Sequence, residues 1–495
     1  MTVPRSMLSA ERRVSTKRRH DRKPPRLLLL GGLALAAALV SGCGSRFDPL
    51  PLDSMIGPRF EPMAACRQSE PSVTPVLPEG PLDLNRALKI ALQNNPELRA
   101  RGAEVDQAQA AKEGAAGARW PRLDAIGGYT RYLDPARVIP AHSNLPVGAY
   151  STDILGGDLV LSMPLYTGGQ ITNRIRAAEF LQAAAAGRVV RNRDELIFNV
   201  TSLYYAILSQ GHIISSLEFS RKTLQQHRDR IQQLIDNQKA VRVDLLRTEV
   251  RLADLEQRLV RERNTLTVQK QLLANQMGIS PTGRDGLNVV GELPRDLSLP
   301  DAPSTMPAVL AQRADYRSAL SEARALEHNV AAAKGALWPQ VYAQASYGVR
   351  YGIDAERPAG VGEGDDVGAV GILVDIPIFD GGQLNAKVRQ ERAKLMAAID
   401  RLRKLQLQIE LDISTAQSNI DSSRQRVAAT AKAIEQAQES YDIERQKYDA
   451  SKGTIIDVLD AQSALLDAQT NYYRALADYQ TALAQLRLAV GRTMP

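Results

Sequence analysis

Two carboxylates stand at the start of an apolar helical segment near the C-terminus. In the stretch Tyr448–Gln469, Gly453 is a helix breaker and Thr454 is a suitable N-cap, and Asp457 and Asp460 follow three residues apart on one helix face. Carboxylates placed in this way can attract cations, repel one another or bind the N-terminus of a helix. Because Thr454-x-x-Asp457 also has the form of a capping box, a purely structural role for Asp457 stays open.

A related segment lies 213 residues upstream, where Asp244 aligns with Asp457. Two Gly-Gly turn motifs, MPLYTGGQ and IPIFDGGQ, keep the same offset, and two Trp-Pro motifs pair Trp120 with Trp338 at an offset of 218. Matches that recur in order at a nearly constant offset indicate an internal duplication. The chain therefore contains two copies of one structural plan.

Each copy contains one helix, then two strands, then two long helices. The first helix is predicted over 83–118 and again over 306–337. The strand candidates are RLDAIGGYTRY with DLVLSMPLY, and QVYAQASYGVRY with VGAVGILVDIPIF. The last of these segments alternates apolar residues with others, which is typical of a strand with one apolar face. The apolar residues on that face are Val370, Ile372, Val374, Ile376 and Ile378.

The long helices carry a seven-residue repeat of apolar side chains, which predicts a coiled-coil seam. A helix from near Gly169 to near Asn237 would be about 100 Å long at about 1.5 Å per residue. The residues of the repeat are Leu245, Leu252, Leu259, Leu266 and Leu273 in the first copy, and Val458, Leu465, Tyr472, Tyr479 and Leu486 in the second.

The N-terminal region has the pattern of a bacterial lipoprotein leader. Residues 1–26 carry nine Lys and Arg against two acidic residues, and an apolar run over 27–40 precedes VSGC, which ends at Cys43. We predict a signal peptide at 1–42, lipidation of Cys43 and a Pro-rich tether at 43–81. An ordinary signal peptide with an unrelated cysteine is the alternative.

The remaining sequence argues against nucleic-acid binding and against enzymatic chemistry. Outside the leader, 53 basic residues balance 53 acidic ones, so no phosphate-binding surface is indicated. The five histidines are scattered without metal-ligand spacing, and no phosphate loop or nucleophile elbow occurs. We predict no enzyme activity, no cofactor and no metal site.

The strand count bears on how the chain could cross a membrane. No other apolar run approaches the length of a transmembrane helix, so a chain that is exported and crosses a membrane would do so as a closed β-barrel. Four strands are too few, because known bacterial barrels need about eight or more. Several chains must then build one barrel.

These motifs, taken in order, resemble the TolC family of outer-membrane factors, and its lipoprotein members in particular. The resemblance covers 82–492 and rests on ALQNNPELRA, the paired Trp-Pro and Gly-Gly motifs, and TIIDVLDAQ. It implies an α+β chain, internally duplicated, in which a β-barrel with four strands per chain continues into a long α-helical coiled-coil barrel. The repeats would occupy 82–279 and 306–492, with an equatorial linker at 280–305 and a tail at 493–495.

The resemblance also implies a function. Members of this family form homotrimers in the outer membrane that extend into the periplasm. They conduct substrate passively from an inner-membrane pump and a periplasmic adaptor protein to the outside, in drug efflux, metal efflux or type I secretion. The cargo of this chain stays open. The alternative is a lipid-anchored coiled-coil protein that spans the periplasm without conducting anything.

Four residues acquire roles through the resemblance. Asp457 and Asp460 would form a charged ring at the closed periplasmic end of the tunnel, with pKa values raised by mutual repulsion. The hydroxyl of Tyr448 would bond the carboxylate of Asp244 as a latch, although Tyr448 could instead be an ordinary exposed tyrosine at a helix end. The family's arginine latch has Gly453 at its place here, so that contact is not carried over.

Overall fold

A computed structural model describes residues 80–139, 149–238, 241–280, 287–298, 305–353, 365–450 and 452–491. All of them belong to one compact unit, Thr74–Pro495. The predicted signal peptide at 1–42, the predicted lipidation site Cys43, nearly all of the tether and the tail at 493–495 lie outside the described residues.

The two copies fold with the same order of helices and strands. The elements of the first copy are α1 (Leu84–Asn94), α2 (Pro96–Gly117), β1 (Arg122–Arg137), β2 (Tyr150–Tyr166), α3 (Gln170–Asp236) and α4 (Arg242–Gln276). Those of the second copy are α5 (Met306–Gln312), α6 (Ala314–Gly335), β3 (Gln340–Gly352), β4 (Asp365–Asp375), α7 (Gln383–Asp449) and α8 (Ile455–Val490).

The four strands form one antiparallel sheet in the order β1-β2-β3-β4, so the predicted α+β class is confirmed. The alternating face of β4 is exposed: Val370 is 88% and Ile372 is 70% accessible. The strand ends at Asp375, opposite Gln340, and does not continue through Ile378 as the alternation suggested. Pro377 has no N–H to donate to a ladder, which accounts for the earlier end.

The first helix of each copy is two helices, so the prediction of single helices over 83–118 and 306–337 was wrong. The helix is interrupted at Asn95, whose ψ of 121° is extended. The side chain of Asn95 caps α2 by accepting a hydrogen bond from the N–H of Leu98. Pro96 explains this break, because the residue before a proline avoids the helical region. The second break is at Arg313, with a ψ of 117°.

The end of each returning helix packs against these breaks. Asn95 Nδ2 donates to the carbonyl of Gln276, 2.9 Å away, and Arg313 Nη1 donates to that of Ala489 at 3.0 Å. Gly278 and Gly491 follow α4 and α8 with φ of +70° and +74°, which end the helices in the left-handed region. Each helix end thus abuts the start of another helix, in both copies.

The seven-residue repeat forms the core of the long helices, as predicted. Leu252, Leu259 and Leu273 are buried in the first copy, and Val458 and Tyr479 are fully buried in the second. The helix α3 contains 67 residues, which corresponds to about 100 Å.

No helix in the described part of the chain combines the length and the apolar character that a membrane span requires.

The junction at Gly278 can be tested by adding a methyl group. A Cβ there would overlap the carbonyl of Asn94, and the backbone is left-handed, so Gly278→Ala should lower the free energy of unfolding by about 1–3 kcal/mol. Gly211→Ala is the matched control, because a Cβ at that site in α3 meets nothing within 4 Å and should stabilise by up to about 1 kcal/mol. Urea unfolding would measure both, and equal effects would contradict the packed junction.

Candidate functional site

The four long helices share one hydrophobic core near the ends of the α3/α4 and α7/α8 pairs. We call these ends the hairpin tips: α3 ends at Asp236 and α4 begins at Arg242, and α7 ends at Asp449 and α8 begins at Ile455. The core combines side chains from all four helices, so the two tips lie side by side. Its members include Ile231, Leu252, Leu255, Tyr441, Ile455, Val458 and Leu459.

Asp457 closes a capping box at the start of α8. Its Oδ2 accepts from the hydroxyl of Thr454 at 2.7 Å and from the N–H of Thr454 at 3.1 Å, and its own N–H donates to Thr454 Oγ1 at 3.4 Å. These hydrogen bonds lower the pKa of Asp457. The capping role left open by the sequence is therefore present. The raised pKa expected for a ring of several chains concerns an assembly and stays a prediction.

Asp244 occupies the same position in α4 without a capping box. Its helix has Val241 as N-cap, and no side chain caps it. The carboxylate instead lies 3.9 Å from Arg247 Nη1. The two aligned aspartates therefore differ: the carboxylate of Asp457 binds its own helix end, whereas that of Asp244 does not cap its helix and lies near Arg247.

Tyr448 lies within electrostatic range of Asp244. Its side chain is half-buried beside the shared core; burial raises the pKa of Tyr448, and the charge of Asp244 raises it further. Both residues are described, and their side chains do not form the predicted hydrogen bond in this protomer. The structure therefore brings the two predicted latch residues together, and the latch itself stays a prediction.

Asp460 forms an ion pair that sequence reasoning missed. Arg251 Nη2 of α4 lies 2.9 Å from Asp460 Oδ1, and seven residues further along both helices Arg258 Nη2 lies 3.2 Å from Asp467 Oδ1. All four side chains are about half exposed, so each pair contributes about 0.2–1 kcal/mol. The signal was the shared offset of 209 residues within a seven-residue repeat, which puts both pairs on one helix face.

A third ion pair joins the two helix pairs beside Tyr448. Arg230 Nη1 of α3 lies 2.8 Å from Asp449 Oδ1 of α7. His227, one turn earlier on α3, has its Nε2 buried without a hydrogen-bond partner. Burial lowers the pKa of His227, and the positive charge of Arg445 lowers it further. The histidine showed no metal-ligand spacing in the sequence, and its half-buried place on α3, near Arg445 and Asp449 of α7, was not predictable from that spacing.

An apolar groove runs between the first turns of α4 and α8. Its volume is about 400 Å³. Exposed apolar side chains line it, and Arg247, Arg251 and Asp460 lie among them. Within the described ranges, no group of three or more His, Cys, Asp and Glu could hold a metal ion. The arrangement can present charge and apolar surface, and the groove offers room for a helix or a side chain of a partner. The exposed apolar side chains that line the groove are Val243, Leu246, Val250 and Ile456.

Comparison with known sequences gives a family and distant relatives. The family profile described as "Outer membrane efflux protein" matches residues 87–278 and 306–492. The outer membrane efflux protein BepC of Brucella suis is 25% identical over 62% of this chain and 65% of its own length. The pyoverdine export outer membrane protein OpmQ of Pseudomonas aeruginosa is 25% identical over 88% of this chain and 90% of its own.

Comparison with solved structures gives the same fold. The outer membrane protein VceC of Vibrio cholerae superposes with a TM-score of 0.70 over 82% of this chain and 96% of its own, at 21% sequence identity. At that identity the likeness concerns the fold, and the order of paired strands and long helices described above is that fold.

The half-buried His227 makes stability depend on pH. Because the pKa of His227 is lowered in the folded chain, the unfolded chain takes up a proton that the folded chain does not as the pH falls below about 6.5. Stability should therefore fall below that pH, and His227→Gln should reduce the fall. Thermal unfolding midpoints at about pH 7.5 and about pH 5.5 test this, and equal shifts in both proteins would contradict it.

Proposed function

The chain belongs to the outer membrane efflux protein family and lies in the outer membrane, and on that premise we propose that it is the exit duct of a tripartite efflux or type I secretion system. Substrate would pass from an inner-membrane pump and a periplasmic adaptor protein through the duct to the outside. The duct is passive in this proposal, and the chain carries out no chemistry on its cargo.

The observation that carries this proposal is the open four-stranded sheet with its exposed apolar face. Strands β1 and β4 are the two edges, and within the described residues neither edge is paired on its outer side. Unpaired backbone groups in hydrocarbon cost several kcal/mol each, so a membrane-embedded sheet must close. A homotrimer closes it by pairing β4 of each chain with β1 of the next.

The long helices support a duct that continues beyond the membrane. At about 100 Å, α3 and α7 reach several times the thickness of a bilayer, which is about 30 Å in its hydrocarbon core. Three copies of the helix pairs would form a tunnel that ends at the hairpin tips. The apolar groove between α4 and α8 is then a suitable docking place for the adaptor protein.

The hairpin tips would form the gate. Asp457 keeps its charge exposed while it caps α8, so three copies can ring a narrow aperture and attract cations. Asp460 contributes less charge while Arg251 is 2.9 Å away. Tyr448 and Asp244 supply the latch between the two helix pairs, and Arg230 with Asp449 adds an ion pair beside it.

A lipid anchor at Cys43 would hold the N-terminus at the membrane. A lipid-anchored scaffold without a channel is the second candidate, and it leaves the exposed apolar face of the sheet unexplained. Channel recordings separate the two candidates.

The charged ring is tested by single-channel conductance in planar bilayers. We expect a cation-selective conductance that divalent cations block, and a weaker block in Asp457→Asn because the ring loses its charge. Asp457→Glu, which keeps the charge, is the matched control. Asp460→Asn should change the block less, because Arg251 already neutralises Asp460. If Asp457→Asn and the wild type are blocked alike, the ring assignment fails; if well-folded protein never conducts, the scaffold is favoured.

The latch is tested by removing one hydroxyl. Tyr448→Phe should raise the open fraction of the channel by about fivefold, because one hydrogen bond contributes about 1 kcal/mol. Tyr441→Phe is the control, since that tyrosine lies on the same helix and is buried in the shared core. Equal open fractions for the two variants would rule out a latch at Tyr448.

A further inference from the structure

A cavity of about 660 Å³ lies where the sheet meets the helices, at the opposite end of the long helices from the hairpin tips. Helices α3, α6 and α7 line it, together with the residue pair Gln340 and Asp375, where β3 begins and β4 ends. Its charged lining residues and Gln170 come from both copies: Gln170, Arg174, Asp375, Lys387, Glu391 and Lys394.

The lining carries more positive than negative charge. Three cationic side chains face two carboxylates. Glu391 is buried, and Lys387 and Lys394 bind it at 3.1 Å and 2.9 Å. Burial alone would raise the pKa of Glu391, but hydrogen bonds from Lys394 and Lys387 outweigh this and lower the pKa. The Lys-Glu-Lys cluster therefore keeps a net positive charge; Arg174 adds a second positive charge, and Asp375 offsets one of the two.

The cavity also lies at the N-termini of two long helices, where the positive end of a helix dipole favours anions. In the second copy the chain supplies that anion: Asp380 accepts from the N–H of Gly382 at 2.8 Å and from that of Leu384 at 2.6 Å. In the first copy, 213 residues earlier, Thr167 takes the place of Asp380. The start of α3 therefore lacks the carboxylate that its counterpart has.

A buried polar group at the start of α3 points to the same deficit. Gln170 is 8% exposed and lines the cavity. Its Oε1 accepts from Arg174 at 3.2 Å, whereas its Nε2 has no partner. Most buried amide groups are hydrogen-bonded, so the unpaired donor marks the start of α3 as a place where the chain leaves a buried polar group unsatisfied.

We propose that this cavity binds a phosphate group, held by Arg174, Lys387 and Lys394 and by the N-terminus of α3. Phosphate oxygens accept from several donors at once, which suits cationic side chains converging on a helix N-terminus. The volume exceeds that of a bare ion and lies in the range of sites for small organic ligands, about 300–1,000 Å³. The bound molecule is then a phosphate ester.

Two sources could present that phosphate ester, a soluble molecule and a phospholipid headgroup. The side chains of Gln340 and Asp375 share one face of the sheet, because the two residues are direct partners. That face is opposite to the exposed apolar side chains of β4, Val370, Ile372 and Val374. The cavity therefore opens on the polar side of the sheet, which favours the soluble source.

The test titrates purified full-length protein in detergent with glycerol 3-phosphate by calorimetry, and with phosphatidylglycerol by native mass spectrometry. Thr167→Asp places a carboxylate where Asp380 stands in the second copy, and Lys387→Gln with Lys394→Gln removes two cations. Each change should weaken the binding affinity by about tenfold or more, because the loss of one charge-assisted hydrogen bond lowers an affinity by about that factor. Lys404→Gln, an exposed lysine further along α7, should stay within about twofold.

Binding of glycerol 3-phosphate that both variants weaken supports a soluble ester, and retention of phosphatidylglycerol that both weaken supports a headgroup. The proposal is overturned if the wild type binds neither probe, or if all four proteins bind them equally. Thr167→Asp keeps the test informative if the double lysine variant, which leaves Glu391 buried alone, fails to fold. Conductance of the same preparations keeps this result separate from the channel proposal.

Discussion

The structure depends on one constraint, which is that every backbone N–H and C=O in hydrocarbon needs a partner. Within the residues that the structure describes, the sheet satisfies this along β2 and β3, and the outer edges of β1 and β4 have no strand partner in a single chain. An exposed apolar face makes the sheet unsuited to water, and open edges make it unsuited to lipid. Insertion into lipid would cover the apolar face, and closure by further copies would pair the edges, so the helices that continue from the strands would follow the same symmetry.

The duplication supplies the same order of helices and strands twice, and the functional roles that we propose lie at positions where the two copies differ. Thr454 gives α8 a capping box, whereas Val241 leaves the aspartate of α4 uncapped. Asp380 binds the start of α7, whereas Thr167 leaves the start of α3 without a carboxylate. In each case an aspartate of one copy binds the N-terminus of its own helix, and the other copy has no such contact.

Periodicity predicted the helices and strands well, because a seven-residue apolar repeat and a two-residue alternation follow directly from burial. The break at Asn95 was predictable from Pro96 and was overlooked. The break at Arg313 has no such local signal, because it follows from packing against the end of α8. The pairing of Arg251 with Asp460 depends on the rotation of two helices about the shared core, which spacing alone does not fix.

The central claim is that the sheet closes between copies of this chain, and the most direct test is the mass of the intact particle in detergent by native mass spectrometry. The account predicts a particle of three chains that remains intact without a partner protein. A stable, well-folded monomer would contradict it, because the edges of β1 and β4 would then be satisfied in some other way.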